Sequence, residues 1–345
     1  MTVPDQSLVR RLANRPTHWL KSRIARNVQA AVGGSAEDLV EYEEPSGDPG
    51  LLGPDSPAWI VHGDLATMLY GGFAALMLQT LNPRAMAGVA QHSNYRNDPT
   101  GRLTRTARFV AGTTFGPTPF VERLISEVLA VHGRVKGTTS DGIPYSAADP
   151  DLVTWVHITE VRHFLRSYQR YGPNRLSRDL EDRYFDDVST IPMRLGATYV
   201  PRSVDEVERY FAQMRGELRV TSEALEAVHF LGATSLPTGQ GSVMTYVNNI
   251  AHRIVVGAAI DLLPDYAREQ LGLDRWHRLK VIPRRLGAVL FGKILRWALG
   301  PSQVAKVSRE RIERGDPRHA SSAVDSEMGM GPVSVKHSLE SSAND

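Results

Sequence analysis

The sequence predicts an all-α protein built as a single large helical domain with flexible termini. Three observations carry that prediction. From about residue 57 to residue 300, apolar residues recur at i, i+3, i+4 and i+7, the spacing of one helix face. The breaks between these stretches are short and marked by Gly, Pro, Asp or Ser. Alternating strands are scarce: "TYVPR" at 198–202 is short and runs into a helix cap, so it reads as a connector.

Taken in order, residues 1–50 form an N-terminal helix and an acidic connector. "THWLKSRIARNVQAAVGG" puts Trp19/Leu20, Ile24, Val28 and Val32 at helical spacing and stops at Gly33–Gly34; "EYEEPSGDPGLLGPDSP" is acidic and rich in Pro and Gly. Residues 51–300 form the main helical domain. Its periodic stretches are 59–81, 84–93, 101–112, 118–136, 150–171, 177–188, 203–215, 221–231, 242–262, 264–271 and 284–300. No residue from Leu65 to Pro83 is charged, but Thr67, Gln79, Thr80, Asn82 and Gly71–Gly72 make it a buried core helix rather than a membrane span. Asp149–Pro150 is a helix start, and Ser203 with Glu206 forms a capping box. Residues 301–345 complete a basic helix end and a tail; from 315 onward the composition is that of a disordered segment.

Composition excludes several function classes. The chain has 345 residues, 41% hydrophobic and 23% charged, with a net charge of +2, so bulk charge gives no reason to expect nucleic acid as a partner. Only six of its 40 cationic residues are Lys. The absence of Cys removes disulfides, Cys-ligated zinc, iron–sulfur clusters, thiolate-ligated haem and thiol nucleophiles. Any metal must be held by His, Glu, Asp, Tyr or Met. The start, "MTVPDQSLVRRLANRP", has no apolar core of a signal peptide, which leads to the expectation of a cytoplasmic, membrane-associable protein. No P-loop, G-x-S-x-G elbow or H-E-x-x-H motif is present, and "GATSLPTGQGS" lacks both a preceding strand and the dinucleotide spacing. Residues 275–314 contain eleven Lys/Arg and two Glu. Within them "RRLGAVLFGKILRWALG" is apolar over a wide face that includes Phe291 and Trp297. Two readings stand: a final core helix with a solvated basic flank, or a peripheral contact of 275–300 with an anionic membrane.

Two histidines sit on apolar helix faces. His132 continues Val121, Leu124, Ile125 and Val128, and Val135 follows it; His157 aligns with Val153, Val161, Phe164 and Tyr168. A histidine there is either a core residue satisfied by a carbonyl or a metal or haem ligand, since neutral imidazole is the commonest protein metal donor. Glu160-x-x-His163 and Glu226-x-x-His229 have the spacing of half a di-iron carboxylate site, a pattern that chance also produces. In "DPTGRLTRTARF", Arg102, Arg105, Thr106 and Phe109 share one helix face, either a solvated basic face or a polar edge to a cofactor pocket.

These segments together carry a resemblance. "LNPRAMAGVAQHSNYRNDPTGRLTRTARF", "VHGRVKGT", "DGIPYSAADPDLVTWVHITEV" and "FLRSYQRYG" closely resemble the MpaB/rubber-oxygenase (latex-clearing protein) catalytic-domain family, from about Ala58 to Leu273. The resemblance implies an all-α fold with globin-like packing around a haem pocket. The family's characterised branches are haem b oxygenases, cleaving polyisoprene or the prenyl chain of a meroterpenoid with dioxygen. His132 matches the proximal iron ligand, and Arg102 and Thr106 match the distal Arg-x-x-Lys-Thr motif. Arg105 stands where latex-clearing enzymes have a lysine that can cap the iron. Arginine stays protonated and offers no lone pair, so a lysine-capped resting state is not expected. Residues 65–97 hold no Asp or Glu to match the rubber enzymes' catalytic carboxylate, which argues against rubber itself as substrate.

The resulting expectation is a haem b oxygenase that uses dioxygen on an apolar, isoprenoid- or lipid-like small molecule. His132 is the metal ligand, His157 a cofactor-pocket residue, and Arg102, Arg105 and Thr106 the distal polar edge. The alternatives are a non-catalytic haem or hydrophobic-ligand binding protein and a di-iron carboxylate hydroxylase.

Overall fold

The computed structural model describes residues 21–24, 36–233, 242–273 and 277–315. Most of the expected N-terminal helix, most of the loop at 232–242 and the tail beyond 315 lie outside them. Helices dominate, as the periodicity predicts. They are α1 (Ala36–Val40), α2 (Pro57–His62), α3 (Leu65–Gln79), α4 (Pro83–His92), α5 (Pro99–Phe115) and α6 (Thr118–His132). After a β-hairpin of β1 (Lys136–Thr138) and β2 (Pro144–Ser146) come α7 (Pro150–Tyr171), α8 (Arg178–Val188), α9 (Thr190–Arg194) and α10 (Val204–Met214). The last are α11 (Ser222–Ala233), α12 (Ser242–Leu262), α13 (Asp265–Gln270), α14 (His277–Leu299) and α15 (Gln303–Arg314).

The uncharged stretch at 65–83 forms α3, and its burial explains its composition. Helix α7 packs along α3, while α12 and α14 pack on it and on each other. Ala66, Tyr70, Phe73, Ala74, Met77 and Leu78 are all buried in the main core. Among the described residues no helix is long and apolar enough to cross a membrane. The approach of α3 to α7 requires glycine: a Cβ at Gly71 would stand 2.6 Å from the carbonyl oxygen of His163.

Capping residues set the element ends. Periodicity predicts one helix over 59–81, but the chain breaks at Gly63, where the Asp64 carboxylate accepts the Thr67 N–H at 3.0 Å and starts α3 afresh. Asp64 also binds Arg296 of α14, whose guanidinium donates to the Tyr171 carbonyl at 2.8 Å and so ties α3, α14 and the end of α7 together. Asp149 caps α7 as expected, accepting the Asp151 N–H at 3.1 Å. At α10 the Ser203 hydroxyl accepts the Glu206 N–H, while Glu206 reaches back to the Arg202 N–H rather than to that of Ser203.

Two further features depart from the sequence reading. The helix expected over 118–136 stops at His132, and residues 136–138 pair instead with 144–146 in antiparallel register, Gly137 opposite Tyr145. Gly142, at φ 87°, makes the turn, and Tyr145 fixes the hairpin to α4 through a 2.6 Å bond from its hydroxyl to Gln91. These strands are too short to show alternation. Second, residues 303–314 form the separate helix α15, anchored by the fully buried Arg311. Its guanidinium donates to the carbonyls of Asp48 (2.9 Å), Tyr42 (2.9 Å) and Phe115 (3.0 Å). Arg311→Met leaves three carbonyls without their donor and should cost about 3 kcal/mol, read as a lower urea midpoint at unchanged slope.

Candidate haem and oxygen site

The residues singled out by sequence lie on α5, α6 and α7. Helix α6 delivers His132 at its last position. Val121, Leu124 and Ile125 on the same stripe are buried, and His132 is partly buried. Its Nδ1 is buried and meets no hydrogen-bond partner among the described residues. Burial lowers its pKa, so the ring is neutral at pH 7.

Helix α7 delivers His157 and Glu160. His157 is partly buried, its Nε2 likewise has no partner among the described residues, and burial followed by the charge of His62 pushes its pKa down to about 3. His62, at the end of α2, faces the same region. Its Nδ1 lies 2.7 Å from Thr114 Oγ1 and its Nε2 2.9 Å from the Tyr184 hydroxyl. The Thr114 hydroxyl donates to the Val110 carbonyl at 2.7 Å, which favours the tautomer with Nδ1–H donating to Thr114 and Nε2 accepting from Tyr184. Burial holds the His62 pKa near 3, so this ring too is neutral.

Glu160 completes the cluster and is the residue that sequence reasoning undervalued. Burial pushes its carboxyl up to about 7, against a hydrogen bond from Gln79 and the positive charge of Arg102. Gln79 is oriented by its own bonds from Nε2 to Thr159 Oγ1 (2.9 Å) and the Val156 carbonyl (3.0 Å). Glu160 in turn raises the pKa of the buried Tyr184 phenol, after burial itself. Asp151 and Glu160 are the sole acids of α7, and Glu160 stands one turn from His157. That placement was the available signal, whereas the E-x-x-H spacing pointed elsewhere.

The face shared by Arg102, Arg105 and Thr106 straddles the protein boundary. Arg102 turns inward, donates to Ser93 Oγ at 2.7 Å and feels the charge of Glu160; burial lowers its pKa, with Glu160 and Tyr95 opposing. Arg105 is 68% exposed at its side chain and pairs with Asp98 at 3.4 Å, and Thr106 is exposed. The structure thus couples Arg102 to Glu160, and His157 to His62 and through it to Tyr184; among the described residues no hydrogen bond or ring contact ties His132 to either pair. Among the described residues no three His, Asp or Glu side chains converge on a metal-sized site. Glu226 lies on the surface in an ion pair with Arg96 at 2.8 Å, and His163 is turned into the core with Nδ1 2.7 Å from the Thr159 carbonyl. The di-iron alternative therefore lacks its donor set.

The raised Glu160 pKa has a measurable consequence. The folded protein holds this proton up to about pH 7, whereas an ordinary glutamate carboxyl gives it up near 4.5. The folded state binds more protons across that window, so the contribution is fully present below 4.5 and is lost as pH rises through 7. Its size is on the order of 3 kcal/mol. Glu160→Gln should remove that fall in stability, measured as urea midpoints of both proteins from acid to alkaline pH. Parallel profiles would refute a raised Glu160.

Residues 59–297 match the family model described as "ER-bound oxygenase mpaB/B'/Rubber oxygenase, catalytic domain", a span that runs from α2 through most of α14 and contains every residue of this candidate site. No curated protein and no solved structure matches the chain. The chain therefore belongs to the MpaB/rubber-oxygenase catalytic-domain family, which at the family level is one of haem-dependent oxygenases.

Proposed function

We propose that the protein is a haem b-dependent oxygenase that acts with dioxygen on an apolar, isoprenoid- or lipid-like small molecule. One observation carries this reading: His132 is a neutral imidazole whose buried Nδ1 has no partner among the described residues. His157 and His163 at Nε2 and His252 at both nitrogens share that feature among the described residues, and what singles out His132 is its place in the "VHGRVKGT" segment at the end of α6. A neutral ring with an unsatisfied nitrogen is suited to hold iron, and a chain without Cys offers no thiolate for that role. Globin-like packing around the haem is part of the same proposal.

In this reading His132 would hold the haem iron and His157 would line the pocket. When bound, haem b supplies the dioxygen chemistry, while the protein sets ligation, polarity and access. Arg102 places guanidinium donors inside the protein, with Arg105 and Thr106 at the outer edge of the same helix. Glu160 holds a proton on its carboxyl beside Arg102 and, with a pKa of about 7, can release it at physiological pH. His62, held between Thr114 and Tyr184, keeps the neighbouring wall neutral.

Two experiments test this. His132→Ala should lose most of the bound haem in a pyridine haemochrome assay, while His157→Ala keeps its haem and shifts its absorption spectrum. A core-only role for His132 predicts about 1–3 kcal/mol of destabilisation with unchanged haem content. Haem-loaded protein that consumes no dioxygen with any apolar substrate is a binding protein instead. Because Arg105 has no lone pair, the ferric protein should be mostly high-spin and take up imidazole readily. A low-spin spectrum insensitive to imidazole would show that another side chain occupies the sixth position.

A further inference from the structure

Helix α14 carries six Lys or Arg and no Asp or Glu over its 23 residues. Its inner side is fixed: Ala288 and Leu295 are buried, and the Tyr70 hydroxyl of α3 donates to the Ala288 carbonyl at 2.9 Å. Arg285 and Arg296 reach inward to Asp261 and Asp64. The outer side is apolar. Ile282, Leu286 and Leu290 are 69%, 66% and 61% exposed, and Val289, Ile294 and Trp297 are 38%, 40% and 44% exposed. At roughly 100° per residue these six side chains fall within an arc of ~140°.

Helix α12 extends the patch. A Cβ at Gly257 would meet the Arg284 side chain at 3.3 Å, and one at Gly287 would meet Ile254 at 3.9 Å, so the two helices run antiparallel. The first half of α12 therefore lies level with the second half of α14. There Tyr246 and Ile250 are 66% and 42% exposed. Isolated exposed apolar residues need no explanation, but a continuous two-helix patch marks a surface that something covers.

We infer that this face is a membrane-docking surface, with α14 lying flat and its apolar stripe seated at the headgroup–acyl boundary of an anionic bilayer. Charge selects this occupant over a second copy of the chain. A two-fold contact through α14 would bring the exposed Lys293 of both copies into one apolar contact, with like charges and no acid on the helix to offset them. Anionic headgroups complement the same cations. Lys293 stands within the stripe, where its aliphatic stem can lie along the apolar surface while its ammonium reaches the headgroups. Trp297, under the Lys21 ammonium at 4.8 Å, has the amphipathic character that suits the interface. The inference is independent of the proposed oxygenase activity.

The test is sedimentation of the full-length protein with phosphatidylcholine vesicles, with and without phosphatidylglycerol. The bound fraction should be about tenfold higher on the anionic vesicles and fall away near 1 M salt, where the screening length is about 3 Å. Leu286→Glu with Leu290→Glu should lower binding about tenfold at unchanged helical content, since both side chains are exposed; Lys293→Glu should lower it several-fold. Equal binding to both vesicle types, or undiminished binding by the double variant, overturns the inference. So does a concentration-dependent dimer that the double variant dissociates, which would assign the face to a second copy.

Discussion

The backbone contact between Gly71 of α3 and His163–Phe164 of α7 is the constraint on which the rest of the structure depends. With no side chain at Gly71, two long helices come close enough to exclude water along their shared length. Helix α7 is then largely enclosed, and its inward polar groups depend on partners inside the protein. Thr159 bonds back to the Trp155 and Val156 carbonyls, and His163 to that of Thr159. His157 and Glu160, on the same enclosed helix, do not reach such local partners.

Burial pushes both inner carboxyls upward, and their partners decide the net direction. Desolvation works to raise the pKa of Asp261, but bonds from Arg285 and Tyr171 and the charge of Arg170 overcome it and hold the pKa below the usual value. Asp261 is thus a fixed structural anion joining α7, α12 and α14. Glu160 faces only an amide and an arginine felt through space, so desolvation wins and its proton is retained. A carboxyl of the first kind stabilises; one of the second kind can exchange a proton at neutral pH. The same desolvation keeps His62, His132 and His157 uncharged, the state in which an imidazole can accept a bond.

Much of this architecture was legible in the sequence. The helices centred on 150–171, 177–188 and 242–262 are where the 3.6-residue period put them, because each buries one broad apolar face. The break at Gly63–Asp64 and the hairpin after His132 were not legible. Their causes are a cap shared with Arg296, far along the chain, and a strand pair only three residues long. His132 and Arg102 were legible as positions from motif and periodicity. Glu160 was visible as a residue but not as a buried acid, because its neighbours Gln79 and Arg102 come from α3 and α5. Local sequence carries no information about that convergence. The same holds for His62, whose partners Thr114 and Tyr184 lie 52 and 122 residues away.

The spacing of Arg102, Arg105 and Thr106 shows how a single helix face can be divided between two duties. At roughly 100° per residue, Arg105 lies 60° to one side of Arg102 and Thr106 40° to the other. What separates Arg102 from them is its place one turn earlier along the helix, where its guanidinium reaches Ser93. Arg105 takes the solvent side, where it holds the Asp98 carboxylate that also caps the start of α5 by accepting the Gly101 N–H at 2.8 Å. It thereby helps to fix the first turn of the helix that aims Arg102 inward. Arg102 takes the inner side, where desolvation opposes its charge and the Ser93 hydroxyl and Glu160 support it. A lysine there would shed its proton more readily under the same burial, whereas a guanidinium keeps its charge. Arginine at 102 and at 105 thus gives this site a permanent inner cation and a structural outer one, with neither able to donate a lone pair to a metal.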